Sequence, residues 1–335
     1  PPVKSYFCYN SNPVIQGPEQ NLLLQGLMRD DLFTVVSELF ITDTARYADI
    51  VLPATMQAEQ FDLMFAWGHS YLTLNEPAIA APGEAVPNVE LFRRLSRAMG
   101  MLDAEWLRDD ESLVRDYIDW DHPYMQDITL ERLRKHGYAH VAIGDPKTRA
   151  PYAKGGFPTE TGRMELKSRG LERAGNYVVS FFRCGSNEFQ PANRNDPLPC
   201  YVPPYESAAS NPALAAEYPL SIVSPKAHAF LNSQYTNETW TAKLQGEQFV
   251  MMHPGDAAAR SIADGDAVTV FNRRGEFRAR AVVSEDIMHG VVMAPVGYWQ
   301  ADAGGTVNCI SHDQYIEMGN GPALSDNLVQ IKPAA

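Results

Sequence analysis

The residues best placed to do chemistry lie early in the chain. Asn12-Pro13 ends an aromatic strand, Gly17-Pro18 opens an apolar-striped helix, and Glu38 ends the next strand, with Thr42-Asp43-Thr44 in the loop beyond. A strand-to-helix turn of that kind predicts free backbone N–H groups and a positive dipole at the carboxyl end of the strand. That is where an open α/β sheet takes an anionic ligand. A carboxylate ending the neighbouring strand accepts hydrogen bonds from ribose hydroxyls or a guanine edge. The same residues also fit a plain Asn-Pro turn and an N-cap for Ala45-Arg46-Tyr47. Residue types alone leave the nucleotide and turn readings side by side.

Other signatures fail. Gly68-His69-Ser70-Tyr71-Leu72 lacks the closing glycine of a nucleophile elbow. His136 and His140 have the spacing of two metal ligands on one helix face, but Gly137 interrupts that helix, so an exposed pair is expected. Asp43-Thr44-Ala45 has no second carboxylate motif to make an aspartic-protease site. No Walker loop, H-E-x-x-H or G-x-G-x-x-G occurs. Cys8, Cys184, Cys200 and Cys309 contain no C-x-x-C, against an iron–sulfur or structural zinc site made by this chain. Cys184 and Cys200 bracket a loop that a disulfide would close outside the cytosol; reduced thiols are the cytosolic expectation.

The elements that must position these residues change character along the chain. Lys4 to Tyr9, Phe33 to Ser37 and Ala48 to Leu52 read as strands, with helices expected at 17–28, 88–101, 109–120 and 129–136. Strand and helix in alternation mean a parallel α/β unit over residues 1–150, partial because its strands are few. Residues 151–215 are rich in Gly, Pro and Asn and read as an irregular connection. From 216 to 335 the signal is β: strands at Pro219–Val223, Phe249–Met252, Ala267–Phe271, Glu276–Val283, Val291–Pro295 and Leu328–Ile331. A hairpin at Arg273-Arg274-Gly275 with positive φ at the glycine, and a short helix capped by Asp256, complete a compact barrel. The fold class is therefore α/β plus β.

Composition narrows the function. With 335 residues, 45% hydrophobic, the chain builds ordinary cores and is neither collagen, disorder nor a disulfide scaffold. A net charge of −13 repels a phosphate backbone, so no nucleic-acid partner is expected. The acids from Asp103 to Asp121 read as a solvated helical surface. No run of about 18 apolar residues predicts a transmembrane segment. Pro1-Pro2-Val3-Lys4 has no charged region before an apolar stretch, so no signal peptide is expected; a start without Met reads as a processed chain or a fragment.

Five blocks in order resemble the C-terminal half of the catalytic subunit of molybdopterin oxidoreductases, the dimethyl-sulfoxide-reductase and formate-dehydrogenase-like family. They are Val35 through Pro53 with Glu59, then Phe157 through Glu165, Ser224-Pro225-Lys226 through Gln234, Pro254 through Gly275, and Gly290-Val291-Val292 with Tyr298-Trp299 and Asn308. The resemblance implies a partial Rossmann-like dinucleotide-binding domain over 1–150 and a double-psi β-barrel, a molybdopterin-dinucleotide-binding domain, over 216–335. By matching position, Asn12, Glu38 and Thr42 would contact one guanosine and its phosphates. Lys226, Ser233, Gln234 and Asn308 would contact pterin or pyrophosphate.

The cofactor implied is bis-molybdopterin guanine dinucleotide with molybdenum or tungsten. It would serve oxygen-atom or hydride-equivalent transfer on a small-molecule substrate. The resemblance places the 4Fe-4S cysteines and the metal's protein ligand in a missing N-terminal half, so no catalytic and no metal-ligating residue is assigned here. This fragment alone is expected to be inactive. Implied partners are that half, or a separate chain supplying it, and an electron-transfer subunit; a cytoplasmic location is expected, with the periplasm as alternative. Glu59, Trp67 and His69 are candidates to approach the substrate funnel. The rival functions are a stand-alone guanine-nucleotide or pterin-binding module and a split structural subunit.

Overall fold

Aromatic and β-branched residues place Ser5–Tyr9 (β1), Phe33–Glu38 (β2) and Ile50–Pro53 (β3) in one parallel sheet, in the order β1-β2-β3. Tyr9 pairs with Ser37 and Glu38 with Pro53, so the carboxyl ends of the strands lie level. These observations come from a computed structural model that describes residues 2–145, 147–169, 198, 201, 203–314 and 321–334. Cys184, Cys200 and much of the expected irregular connection lie outside the described residues.

Between β1 and β2 the chain makes two helices, Pro13–Gln16 and Gln20–Leu27. The helix expected from Gly17 thus begins at Gln20, and a short helix that was not expected precedes it. Gly17 caps the first helix, its N–H donating to Pro13 O at 2.7 Å, and Glu19 in the left-handed region starts the second. Val14, Ile15, Leu24 and Leu27 are buried on one face of the sheet. On β1, Phe7 and Tyr9 meet Phe92 of the helix Asn88–Ala98, with ring centroids 5.8 and 5.0 Å apart.

A second sheet lies within the first 150 residues, where one α/β unit was expected. Asp62–Phe65 (β4), Tyr71–Asn75 (β5) and Tyr138–His140 (β6) form an antiparallel sheet with its own core of Leu72, Leu74, Ile128, Leu130 and Leu133. Alternation explains it: Leu72 and Leu74 face helix Leu130–His136, while Tyr71 is exposed and Thr73 half-buried. Gly137, at φ 77°, closes that helix and turns directly into β6, which separates His136 from His140.

The last unit is a closed barrel of Leu220–Val223 (β7), Phe249–Met252 (β8), Ala267–Asn272 (β9), Gly275–Val283 (β10), Val291–Met293 (β11) and Asn327–Pro333 (β12), ordered β10-β8-β11-β7-β12-β9. Inward residues of every strand, among them Ile222, Val250, Val270, Phe277, Val292 and Val329, make one core. Closure leaves no free sheet edge. Two expectations change. Gly275 does not have positive φ; glycine is needed there because a Cβ would run into Asn21 Nδ2 and come within 2.8 Å of Cys309 O. The helix at Pro254–Ala258 is capped by His253, whose Nδ1 accepts from Gly255 N, while Asp256 accepts from Gly290 N.

Candidate functional site

The carboxyl ends of β1 and β2 hold polar side chains that the protein leaves incompletely paired. Asn12, 3% exposed, accepts through Oδ1 from the Thr44 backbone N–H at 3.2 Å and the Thr44 hydroxyl at 2.7 Å. Its Nδ2 is buried without a partner. Ser37, one residue before the end of β2, has a buried hydroxyl that is also unpartnered. Glu38 is half-buried; burial raises its carboxyl above the ordinary carboxylate range, and the Leu39 N–H at 2.8 Å offsets this only in part. No cation pairs with it among the described residues. Buried polar groups left unsatisfied cost about 1–3 kcal/mol each, so their concentration at one edge marks a place where donors and acceptors arrive from elsewhere.

The backbone at this edge is not the expected anion cradle. Val14 N–H donates to Thr44 Oγ1 at 3.1 Å, Gly17 N–H to Pro13 O, and Glu19 N–H to Ser311 O in the barrel unit at 3.2 Å. An acid, Glu19, precedes the second helix. Side chains, rather than a helix end, are left to receive a ligand. Thr42, 5% exposed, accepts from Ala45 N at 3.3 Å and so performs the capping role also open to it from the sequence. Asp43, 2% exposed, accepts from Gln300 N at 2.8 Å and belongs to the contact with the barrel unit.

On the barrel side, the four expected contact residues divide into pairs. Lys226 and Gln234 are exposed on the loop after β7. Lys226 Nζ donates to Asn232 Oδ1, leaving two of its three donors open to an anion. Ser224, just before it, has a buried hydroxyl without a partner. Ser233 and Asn308 instead turn into the seam between the sheet β1–β3 and the barrel. Ser233 Oγ accepts from Gln16 Nε2 at 3.2 Å, and its carbonyl accepts from Trp299 Nε1 at 2.8 Å. Asn308 donates to Ile15 O at 2.5 Å and accepts from Ser311 Oγ at 3.3 Å. Both were expected at the ligand; in this structure Ser233 Oγ and Asn308 Nδ2 each make a bond across the seam.

The seam is extensive. Thr306 donates to Gln20 Oε1 at 3.1 Å, Asn21 to Arg274 O at 2.9 Å, and the Trp299 ring packs among Val14, Ile15, Leu24 and Leu27. It fixes the loop carrying Lys226 against the helix that follows Asn12, through the Gln16–Ser233 bond. Sequence reasoning assigned no site role to Ser37, Ser224, Gln16 or Trp299. Ser37, Ser224 and Trp299 stand within the blocks of resemblance, whereas Gln16 carries no local signal.

Elsewhere, Glu59 accepts from the Met56 N–H at 2.9 Å, Trp67 is fully exposed, and His69 Nδ1 accepts from Tyr71 N at 3.2 Å. Cys8 and Cys309 are buried free thiols, and burial pushes Cys309 up to about 12, making it unreactive.

A sheet of parallel strands with a polar carboxyl edge, stitched to a closed six-stranded barrel, defines an α/β-plus-β architecture with a barrel of the double-psi class. Two family models match it: "Molybdopterin oxidoreductase" over residues 2–98 and "Molydopterin dinucleotide binding domain" over residues 220–328. The chain belongs to the molybdopterin oxidoreductase family. It is 36% identical over 335 residues to the probable oxidoreductase YoaE of Bacillus subtilis, covering 99% of this chain and 44% of that protein. It is 26% identical to the dimethyl sulfoxide reductase DmsA of Escherichia coli, covering 99% of this chain and 42% of that one. The acetylene hydratase of Pelobacter acetylenicus shares the fold, with a TM-score of 0.77 at 22% identity over 99% of this chain and 44% of that chain. The chain therefore spans less than half the length of the relatives it matches. Among the described residues, no helix is long and apolar enough to cross a membrane.

Proposed function

We propose that this chain is the C-terminal part of a bis-molybdopterin-guanine-dinucleotide oxidoreductase, and that its share of the work is to hold the dinucleotide. The observation that carries this is the edge where Asn12 Nδ2 and Ser37 Oγ are buried without partners beside the half-buried, unpaired Glu38. A guanosine brings ring N–H groups and ribose hydroxyls, the donors Glu38 lacks, and ring and phosphate oxygens, the acceptors Asn12 Nδ2 lacks. Lys226 on the barrel rim would neutralise pyrophosphate as a point charge, with Ser224 and Gln234 beside it on the same loop. When bound, the cofactor supplies the redox centre at which an oxygen atom or hydride equivalent moves to or from a small substrate. This chain orients it: the seam residues Gln16, Ser233 and Asn308 keep the two binding edges at one spacing.

The metal's protein ligand, the 4Fe-4S cluster and the electron-transfer partner belong, in this proposal, to the remaining length seen in the relatives. Dimethyl sulfoxide reductase among them favours a small oxygenated substrate. The cytoplasm is the proposed compartment, the periplasm the alternative.

The test is the native protein purified from its host, with its denatured mass and acid-released contents measured. A mass well above 37.2 kDa with guanine nucleotide and molybdenum or tungsten is expected. A mass at 37.2 kDa with guanine nucleotide and no metal would establish the stand-alone binding module instead. Within the native enzyme, Glu38→Gln is expected to lower cofactor retention about 10-fold or more, since it removes a charge-assisted acceptor. Retention equal to wild type would remove Glu38 from the site.

A further inference from the structure

Outside the dinucleotide edge, a cleft of about 470 Å³ opens between the outer face of β10 and the helix Thr239–Gln245. Its volume lies in the range of small-molecule sites. Phe230, Tyr298 and Trp299, each less than 10% exposed, contribute aromatic surface, and Ala242 and Ala303 leave room for a ring. Phe230 and Tyr298 stand edge to face, centroids 5.4 Å apart at 85°, so the aromatic wall is fixed before anything enters.

The polar part of the lining is unbalanced. Arg280 is paired with Glu247 at 2.8 Å and donates to Gly265 O at 2.9 Å. Arg278, in the same lining, has no ion pair or side-chain hydrogen bond among the described residues. Two guanidinium groups against one carboxylate leave a net positive charge. Gln248, 7% exposed, donates through Nε2 to Arg278 O at 2.7 Å and to Gly305 O at 3.1 Å. Those two carbonyls fix the amide's orientation and leave Oε1 without a donor.

We infer that this cleft is a second ligand site, separate from the dinucleotide edge, for a small aromatic carboxylate. The ring lies against Phe230, Tyr298 and Trp299, and the anion pairs with Arg278. Trp299 joins the cleft to the seam, since it also packs on Val14, Ile15, Leu24 and Leu27 and donates to Ser233 O.

The experiment is calorimetric titration of the purified full-length protein with 4-hydroxybenzoate and, in parallel, with its uncharged analogue 4-hydroxybenzyl alcohol. Binding of the carboxylate at millimolar concentration or tighter is expected, at least about 10-fold stronger than the alcohol, the scale of one charge-assisted contact. Ala242→Phe, which fills the cleft, is expected to abolish it. Arg278→Gln, at an exposed position that leaves the barrel core untouched, should bring carboxylate and alcohol to equal affinity. Absence of carboxylate binding to the wild-type protein overturns the proposal. So does equal binding by wild type and Arg278→Gln, a result that stands whether or not Ala242→Phe folds. Cofactor content measured on the same samples tells failure of this site from failure of the dinucleotide edge.

Discussion

Two asparagines and two glutamates are withdrawn from water in this protein, Glu38 only in part, under opposite terms. Asn308, in the seam, uses both ends of its amide; Asn12, at the edge of the parallel sheet, uses only its oxygen. Glu206 sits against Arg274 with oxygens 2.5 and 3.0 Å from the guanidinium, and also accepts from Leu328 N at 3.0 Å. Burial pushes the Glu206 carboxyl up, but these partners outweigh it and hold it below the ordinary range. Glu38 has only Leu39 N–H, and burial wins. All four are at least partly withdrawn from water, so burial alone does not separate them. The completeness of pairing does: Asn308 and Glu206 are saturated by protein partners, whereas Asn12 and Glu38 keep open positions, the ones proposed above to meet the dinucleotide.

The sharpest way to break that distinction is at Arg274. Its guanidinium, 8% exposed, serves Glu206, Ile310 O and Asn327 Oδ1 together, and its carbonyl receives Asn21 across the seam. Arg274→Met strands the Glu206 charge in the interior and is expected to cost about 3–5 kcal/mol. Adding Glu206→Leu should recover most of that loss, because the penalty lies in the unpaired charge rather than in lost attraction. Urea midpoints of the two variants check this. A double variant as unstable as the single one would mean that the seam depends on the ion pair itself.

A smaller contrast compares the two edges directly. Asn308→Ala leaves Ile15 O without its donor and is expected to lower stability by about 1–3 kcal/mol. Glu38→Gln is expected to leave stability unchanged or slightly raised, since it removes a half-buried carboxylate that has no counter-charge. Each variant is assayed for urea midpoint and for cofactor retention. Asn308→Ala losing cofactor at full stability would return that residue to the ligand site and erase the distinction.

Much of this was legible in the residues. The barrel strands fall where alternation places them, because inward and outward positions on a closed sheet differ sharply in polarity. Phe249–Met252 matches its expected bounds, four others differ by one to two residues at one end, and the last strand extends at both ends. Glu38 was legible as a carboxylate ending a strand, whereas Lys226 was singled out only through the family resemblance. The second sheet was not legible, since β4 is short and β6, which pairs with the other edge of β5, lies far along the chain, so no local pattern links all three. Nor was the fate of Ser233 and Asn308. Whether a polar side chain meets a ligand or a carbonyl from the other unit depends on long-range docking. The close approach at Gly275 is likewise long-range: the backbone oxygen of Cys309, backed by Asn21 from the other unit, is what excludes a side chain there.

The mildest test uses His312, which lies beside the Glu206–Arg274 ion pair. Its Nδ1 accepts from Gln314 N at 3.2 Å and its Nε2 meets Asp326 O at 2.8 Å, so both bonds are satisfied by the neutral ring protonated at Nε2. Burial holds its pKa below the ordinary 6.5; Glu206 pulls it up, and the Arg274 guanidinium adds to the lowering. The sign follows from linkage. Below pH 6.5 the unfolded chain takes up a proton that the folded ring refuses, so its contribution is complete above 6.5 and falls as pH drops towards the folded value. The slope in that window is at most about 1.4 kcal/mol per pH unit. His312→Gln has no titrating ring and should flatten the urea midpoint between about pH 7 and pH 5, above the range where Glu206 takes up its proton. Parallel decline in wild type and His312→Gln would assign the acid sensitivity to carboxylates elsewhere and leave the seam insensitive to pH in that range.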